Sequence, residues 1–197
     1  MKRNKVGTIT ILIAVLLLTG CAATRVTSFW KDPNYQRTPH KVLVVALVKN
    51  PKYRMALEDE FAFQMNKKGI DVTAGSKAFP VRTPGSKDEL LKYLRDNGYD
   101  TFLLVRIVAE KDLVVNTSDT ASDLSSSYST TNSAISSPDT VVKERIAMTE
   151  ANFYDVDTGK LFWTASSQTT VDEVNHALIA DYVTQILKQM QSNGLVQ

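Results

Sequence analysis

Val42-Leu-Val-Val-Ala-Leu-Val48, followed by Lys49 and then Asn50-Pro51, is the stretch that decides the fold. An unbroken apolar run rich in valine suits a central strand buried on both faces, since a strand with one wet face would alternate. Asn50 and Pro51 then supply the N-cap and the fixed φ of a helix start. Leu57, Phe61 and Met65 recur at i+4 with Ala62 beside them, which gives that helix one apolar stripe. Lys67 and Lys68 suit its negative end, and Gly69 suits the left-handed position that follows.

Toward the C-terminus the pattern continues. Ile70 to Thr73 reads as a short second strand. Ser86-Lys-Asp-Glu89 is a capping-box pattern that opens a helix carrying Leu90, Leu91 and Leu94, which Asn97-Gly98 ends. Thr101 to Ala109 is the next buried strand. Strand, helix, strand, helix, strand in that order implies right-handed parallel crossovers.

Residues 116–140 break the rhythm. Fourteen of these twenty-five residues are Ser or Thr, and the only charges are three aspartates. So little apolar surface cannot offset ordering entropy, so a flexible loop is expected. Leu124, Tyr128 and Ile135 cannot furnish the apolar faces of two bilayer-spanning strands. Asn116-Thr117-Ser118 fits the N-glycosylation pattern and is read as a chance match.

Beyond the loop, Val141 to Asp155 and Leu161 to Thr169 form a hairpin around Asp157-Thr-Gly-Lys160. Strict alternation sends Phe162 and Trp163 to opposite faces. A last helix is expected from about Val171 to Asn193, with its stripe on Leu178, Ile179, Tyr182, Val183, Ile186, Leu187 and Met190. Gly194 caps it, and Leu195-Val196 folds back. The expected class is α/β, a single domain over 41–197. It has two or three layers, with a mixed sheet of about five strands and three helices. In that sheet a parallel β-α-β-α-β unit is followed by antiparallel hairpins.

The other end of the chain reads as an address. Lys2, Arg3 and Lys5 precede an apolar stretch from Val6 to Leu18. As a helix it would rise only ~20 Å, against a hydrocarbon core of ~30 Å, so residues 1–20 read as a secretory signal that is removed. An uncleaved short anchor is the competing reading, disfavoured by the small residues and cysteine that close the run.

Leu18-Thr19-Gly20-Cys21 resembles a bacterial lipobox at all four positions. The resemblance implies cleavage between Gly20 and Cys21, a diacylglyceryl group on the Cys21 sulfur and an acylated new amino terminus. At ~0.8 kcal/mol per buried CH₂, two or three chains anchor stably where one would be marginal. Ala22 and Ala23 follow where an aspartate would favour inner-membrane retention. The implied location is the outer membrane facing the periplasm, or the plasma membrane if the source has only one. Residues 21–40 then read as a lipidated cysteine and tether, with Phe29, Trp30 and Tyr35 packing on the domain as a clasp.

Charge and cysteine exclude several classes. The chain has 23 basic and 21 acidic residues; removing Lys2, Arg3 and Lys5 leaves 20 against 21, a net charge of −1. That balance offers nucleic acid no electrostatic footprint. A lone cysteine makes no intrachain disulfide, no CxxC pair and no thiolate zinc site by itself.

Catalytic patterns fail one by one. Asp157-Thr-Gly159 matches the aspartic-protease tripeptide, but that chemistry needs two such carboxylates. Gly159-Lys160 lacks the upstream glycine of a phosphate loop. His40 and His176 have no HxxxH or HExxH spacing and read as surface or capping residues. Glu58, Asp59 and Glu60 crowd one helix segment, where an i,i+4 pair between Arg54 and Glu58 on a solvated face accounts for them. Asp155 and Asp157 read as turn-holding residues. No catalytic, cofactor-binding or metal residue is expected, and no cofactor.

The run from Thr27-Ser-Phe-Trp-Lys-Asp-Pro33 to Gly194-Leu195, with Tyr-Asp-x-x-Thr-Gly-Lys-Leu-x-Trp at Tyr154 to Trp163, resembles a group of bacterial envelope lipoproteins. Its topology is similar to the periplasmic domain of the curli secretion channel and to lipoprotein activators of penicillin-binding proteins. The resemblance implies a lipid-anchored envelope protein with a non-enzymatic binding or assembly role and an envelope protein partner. The alternative is an envelope hydrolase or small-ligand binder with a cleft at the carboxyl ends of the parallel strands, a reading that a deep pocket containing Arg54, Glu58 or Asp155 would favour.

Overall fold

A computed structural model of the chain describes residues 23–79, 86–116 and 141–196, with side chains described up to 111 and from 145 in the strands beside the second gap. The signal segment, Cys21 and the Ser/Thr-rich stretch after Asn116 lie outside the described residues.

The chain forms one six-stranded mixed sheet. Its strands are β1 (Thr24–Lys31), β2 (Lys41–Leu47), β3 (Asp71–Ala74), β4 (Thr101–Asn116), β5 (Val141–Asp155) and β6 (Leu161–Val171). The helices are α1 (Pro51–Asn66), the single turn α2 (Gly75–Ala78), α3 (Lys87–Asp96) and α4 (His176–Ser192). The spatial order is β1-β6-β5-β4-β2-β3. β2 runs parallel to both β3 and β4, whereas β5, β6 and β1 join by antiparallel pairing. The expected α/β class and parallel-then-antiparallel plan hold, with one strand and one short helix more than anticipated.

Three layers result. Val42, Val44, Leu103 and Val105 face α1 and α4, packing with Phe61, Met65, Val183 and Ile186. Leu43, Val45 and Phe102 face the opposite side and meet Leu94, Phe79 and Tyr99. The continuous apolar run of β2 is therefore used on both faces, as a central strand demands. The caps fall where sequence places them. Asn50 Oδ1 accepts from the Lys52 amide and Ser86 Oγ from the Glu89 amide. Gly194 adopts φ +70° while the Leu195 amide bonds Met190 O, burying Leu195 and Val196.

Three expectations need correction. Residues 21–40 are not simply a tether: Thr24–Lys31 is a sheet strand, paired with β6 from Thr24↔Thr169 to Lys31↔Trp163. Thr24 and Val26 turn inward while their neighbours are wet, a short alternation that suits an edge strand and that the prolines at 33 and 39 mask in the sequence. Phe162 and Trp163 both enter the same core cluster, because the register slips between Phe153 and Tyr154 and breaks strict alternation. The last helix starts at His176, not near Val171. Pairing with Arg145 keeps Val171 in β6, and Asn175 caps the helix by accepting from the Leu178 amide.

Of the expected clasp, Tyr35 does the packing, stacked on Phe162 with centroids 3.8 Å apart. Phe29 and Trp30 stay about half exposed, at 52% and 47%. Among the described residues no helix is long and apolar enough to cross a membrane.

Candidate functional site

The residues singled out for chemistry do not converge. Glu58 and Arg54 sit on α1 at the carboxyl end of β2, while Asp155 lies at the opposite end of the sheet, paired with Thr101 at the start of β4. Glu58 is buried, and its carboxylate accepts from two amides, Ala46 at 3.0 Å through Oε1 and Ser76 at 2.7 Å through Oε2. Arg54 Nε stands 3.9 Å from Oε1. The solvated ion pair expected here is instead a buried carboxylate that ties α1 to β2 and to the turn of α2. Gly75 makes room for it: a Cβ there would lie 2.9 Å from Val44 O and 3.4 Å from Glu58 Oε1.

The neighbouring acids have separate duties. Asp59 pairs with Lys77 at 2.8 Å. Glu60 is buried, accepts from Gln64 Nε2 at 2.7 Å and lies 3.3 Å from His176 Nε2 at the start of α4. At the other end, Asp155 Oδ1 accepts from both the amide and the hydroxyl of Thr158 at 2.8 Å. Arg37 bridges Asp155 and Asp157 at 3.3 and 2.8 Å, and the two carboxylates raise the guanidinium's pKa. Gly159 takes φ +67° and completes the turn. Asp155 and Asp157 hold the hairpin as expected. His40 is exposed, with Nε2 3.4 Å from Thr38 Oγ1.

A groove lies where the alternative reading places a cleft, but Arg54, Glu58 and Asp155 do not line it. It lies at the carboxyl ends of β2 and β4, where the chain leaves β2 in one direction for β3 and β4 lies on the other side. Such a switch point is a common ligand position in α/β sheets. The groove has a volume of about 570 Å³ and runs between Val48 and Tyr53, Ile107 and Ala147, and Val171 and Val174. It deepens into a cavity of about 120 Å³ beneath Leu57, Leu178 and Ile179, floored by Thr149, Thr169 and Tyr182. Leu47, Ile107 and Val108 are exposed at its mouth. Among the described residues no carboxylate lines the deeper cavity. Tyr182 is buried beside Thr149, and desolvation pushes its pKa up to about 12 against a smaller lowering by the Thr149 hydroxyl. Scattered residues from β2, α1, β4, β5, β6 and α4 build this groove, so no local motif announces it.

The groove lies at the sheet end where β1 begins. Thr24 Oγ1 is 3.0 Å from Thr169 Oγ1, a group of the cavity floor, and the Thr24 amide donates to Asp181 Oδ2 at 2.9 Å. One residue earlier, Ala23 O accepts from the Thr170 amide. Cys21 precedes Ala23 by two residues in the sequence.

No protein-family model and no curated protein sequence matches the chain. Among solved structures, it is similar to PelC from Paraburkholderia phytofirmans, determined as a dodecamer, with a TM-score of 0.51 and 14% identity over 85% of this chain and 97% of that one. It is also similar to the lipoprotein GNA1162 from Neisseria meningitidis, with a TM-score of 0.46 and 14% identity over 78% and 99% of the two chains. At such identity the likeness to PelC shows a shared fold.

Proposed function

We propose that this protein is a lipid-anchored component of the bacterial envelope, held at a membrane through Cys21, with a non-enzymatic role in binding or assembly. The observation that carries the reading is the position of β1. Its first paired residue, Thr24, follows the lipobox cysteine by three residues, so the lipid and the sheet edge form one unit rather than being joined by a long tether. A domain so held stays at the bilayer surface, its β1 edge presenting the half-exposed Phe29 and Trp30 to a neighbour. The dodecameric state of PelC is consistent with a fold of this kind serving assembly. Outer-membrane delivery follows from the residues after Cys21.

A small-ligand-binding role is the second reading, favoured by the groove at the carboxyl ends of β2 and β4. Hydrolysis has less support, since Glu58 and Asp155 are each committed to hydrogen bonds that hold backbone or turn.

Chemical crosslinking in intact membranes, followed by sizing of the extracted protein, tests the assembly role. A discrete higher-order species that Trp30→Ala weakens is the expected result. Recovery as an isolated monomer at every crosslinker concentration contradicts it.

A further inference from the structure

We infer that the groove between α1, the β4–β5 pair and the start of α4 is the seat of one acyl chain of the lipid carried by Cys21 of the same molecule. The inference rests on the lipid-anchor reading above.

Two observations on the described residues converge on it. The first is chemistry. The groove and its deeper cavity are walled by valine, leucine, isoleucine and tyrosine from four directions, and Val48, Tyr53, Leu57, Val171, Val174 and Leu178 remain only half-buried there. A concave, apolar site of about 570 Å³ falls in the range of ~300–1,000 Å³ typical of small-molecule pockets. Charged groups occur only at the outer rim, as Lys49, Glu110 and Arg145. An elongated apolar ligand with a polar end outside suits that distribution; a charged metabolite does not.

The second is reach. Ala23 is bonded to Thr170, next to Val171 of the groove wall, and Thr24 touches Thr169 of the cavity floor. Cys21 stands two residues upstream of Ala23 in the sequence, so its lipid is attached close to this end of β1. Two described cavities lie at this end of β1, and the one lined by Thr24, Arg25, Gln185, Lys188 and Gln189 is walled by polar side chains, which leaves this groove as the apolar one. The remaining acyl chains stay in the bilayer, and two chains suffice for stable anchoring.

Transfer of an acyl chain from bilayer to groove exchanges one apolar medium for another, while the groove wall loses contact with water.

The test feeds cells a photoactivatable palmitate analogue, irradiates their membranes, and maps crosslinks by mass spectrometry of the purified protein. Label on Cys21 with crosslinks to peptides carrying Tyr53, Leu57, Val174 or Leu178 is expected. Val174→Trp, which fills the mouth, should reduce those crosslinks several-fold while leaving label on Cys21. Label on Cys21 with crosslinks only to phospholipid or other polypeptides overturns the groove assignment and leaves the anchor standing. Absence of label from the wild-type protein overturns both. In membranes mixing isotopically light and heavy protein, crosslinks joining the two kinds overturn the intramolecular seat.

Discussion

The amide of Thr24 donates to Asp181 Oδ2 at 2.9 Å, joining the first residue of β1 to the second turn of α4 across almost the whole sequence. This contact fixes the chain beside Cys21 to the helix that roofs the apolar groove. Asp181 also accepts from Gln185 Nε2 through its other oxygen, which keeps the carboxylate in place.

Asp181→Ala removes that acceptor and leaves the Thr24 amide unpaired at the sheet edge. A loss of ~1–3 kcal/mol is expected in urea unfolding. Proteolysis should shift toward residues 23–31, since β1 is released before the central strands.

Adjacent acids on α1 should behave very differently. Glu58→Ala strips acceptors from the Ala46 and Ser76 amides within the fold, and ~3–5 kcal/mol of stability should disappear with them. Asp59→Ala breaks only the exposed pair with Lys77 and should cost ~1 kcal/mol or less. Paired denaturant curves decide the matter; equal losses would contradict the assigned roles.

These contrasts mark how far the sequence was legible. The central strand, both early helices and the Asp157-Thr-Gly159 turn follow from local rules, because run length, caps and a left-handed glycine are written within a few residues. β1 was illegible because this edge strand buries Thr24 and only half-buries Val26, and its exposed aromatics read equally well as a clasp. Glu58 was misread because its partners, Ala46 and Ser76, lie 12 and 18 residues away and their amides carry no side-chain signature. The place of the groove, at the carboxyl ends of the parallel strands, follows from topology, but its lining was illegible because six elements assemble it at long range.

Gly75→Ala tests the close approach beneath Glu58. The added Cβ would meet Val44 O at 2.9 Å and Val45 Cγ2 at 2.7 Å, so the backbone must shift. A loss of ~1–3 kcal/mol is expected, with no comparable effect from Ala at an exposed helix position.

Alkaline stability should report the two shielded tyrosines. Tyr182 and Tyr35 are raised from 10.0 to about 12, chiefly by desolvation, with Asp155 and Asp100 adding to the rise at Tyr35. The unfolded chain ionises first as pH rises, so it binds fewer protons than the folded chain between about pH 10 and 12. Stability is therefore complete below about pH 10 and falls through that window. Tyr182→Phe should flatten the fall and change stability at pH 7 by ~1 kcal/mol, since it removes one buried hydroxyl beside Thr149.

The central claim is that Cys21 carries the lipid that holds this sheet edge at the membrane. The direct measurement is metabolic labelling with a clickable palmitate analogue in cells producing either the wild-type protein or Cys21→Ser. Label confined to the wild-type protein, together with a mature chain beginning at residue 21, is the predicted result. Equal labelling of Cys21→Ser, or an unlabelled wild-type protein released from membranes by salt, would contradict it.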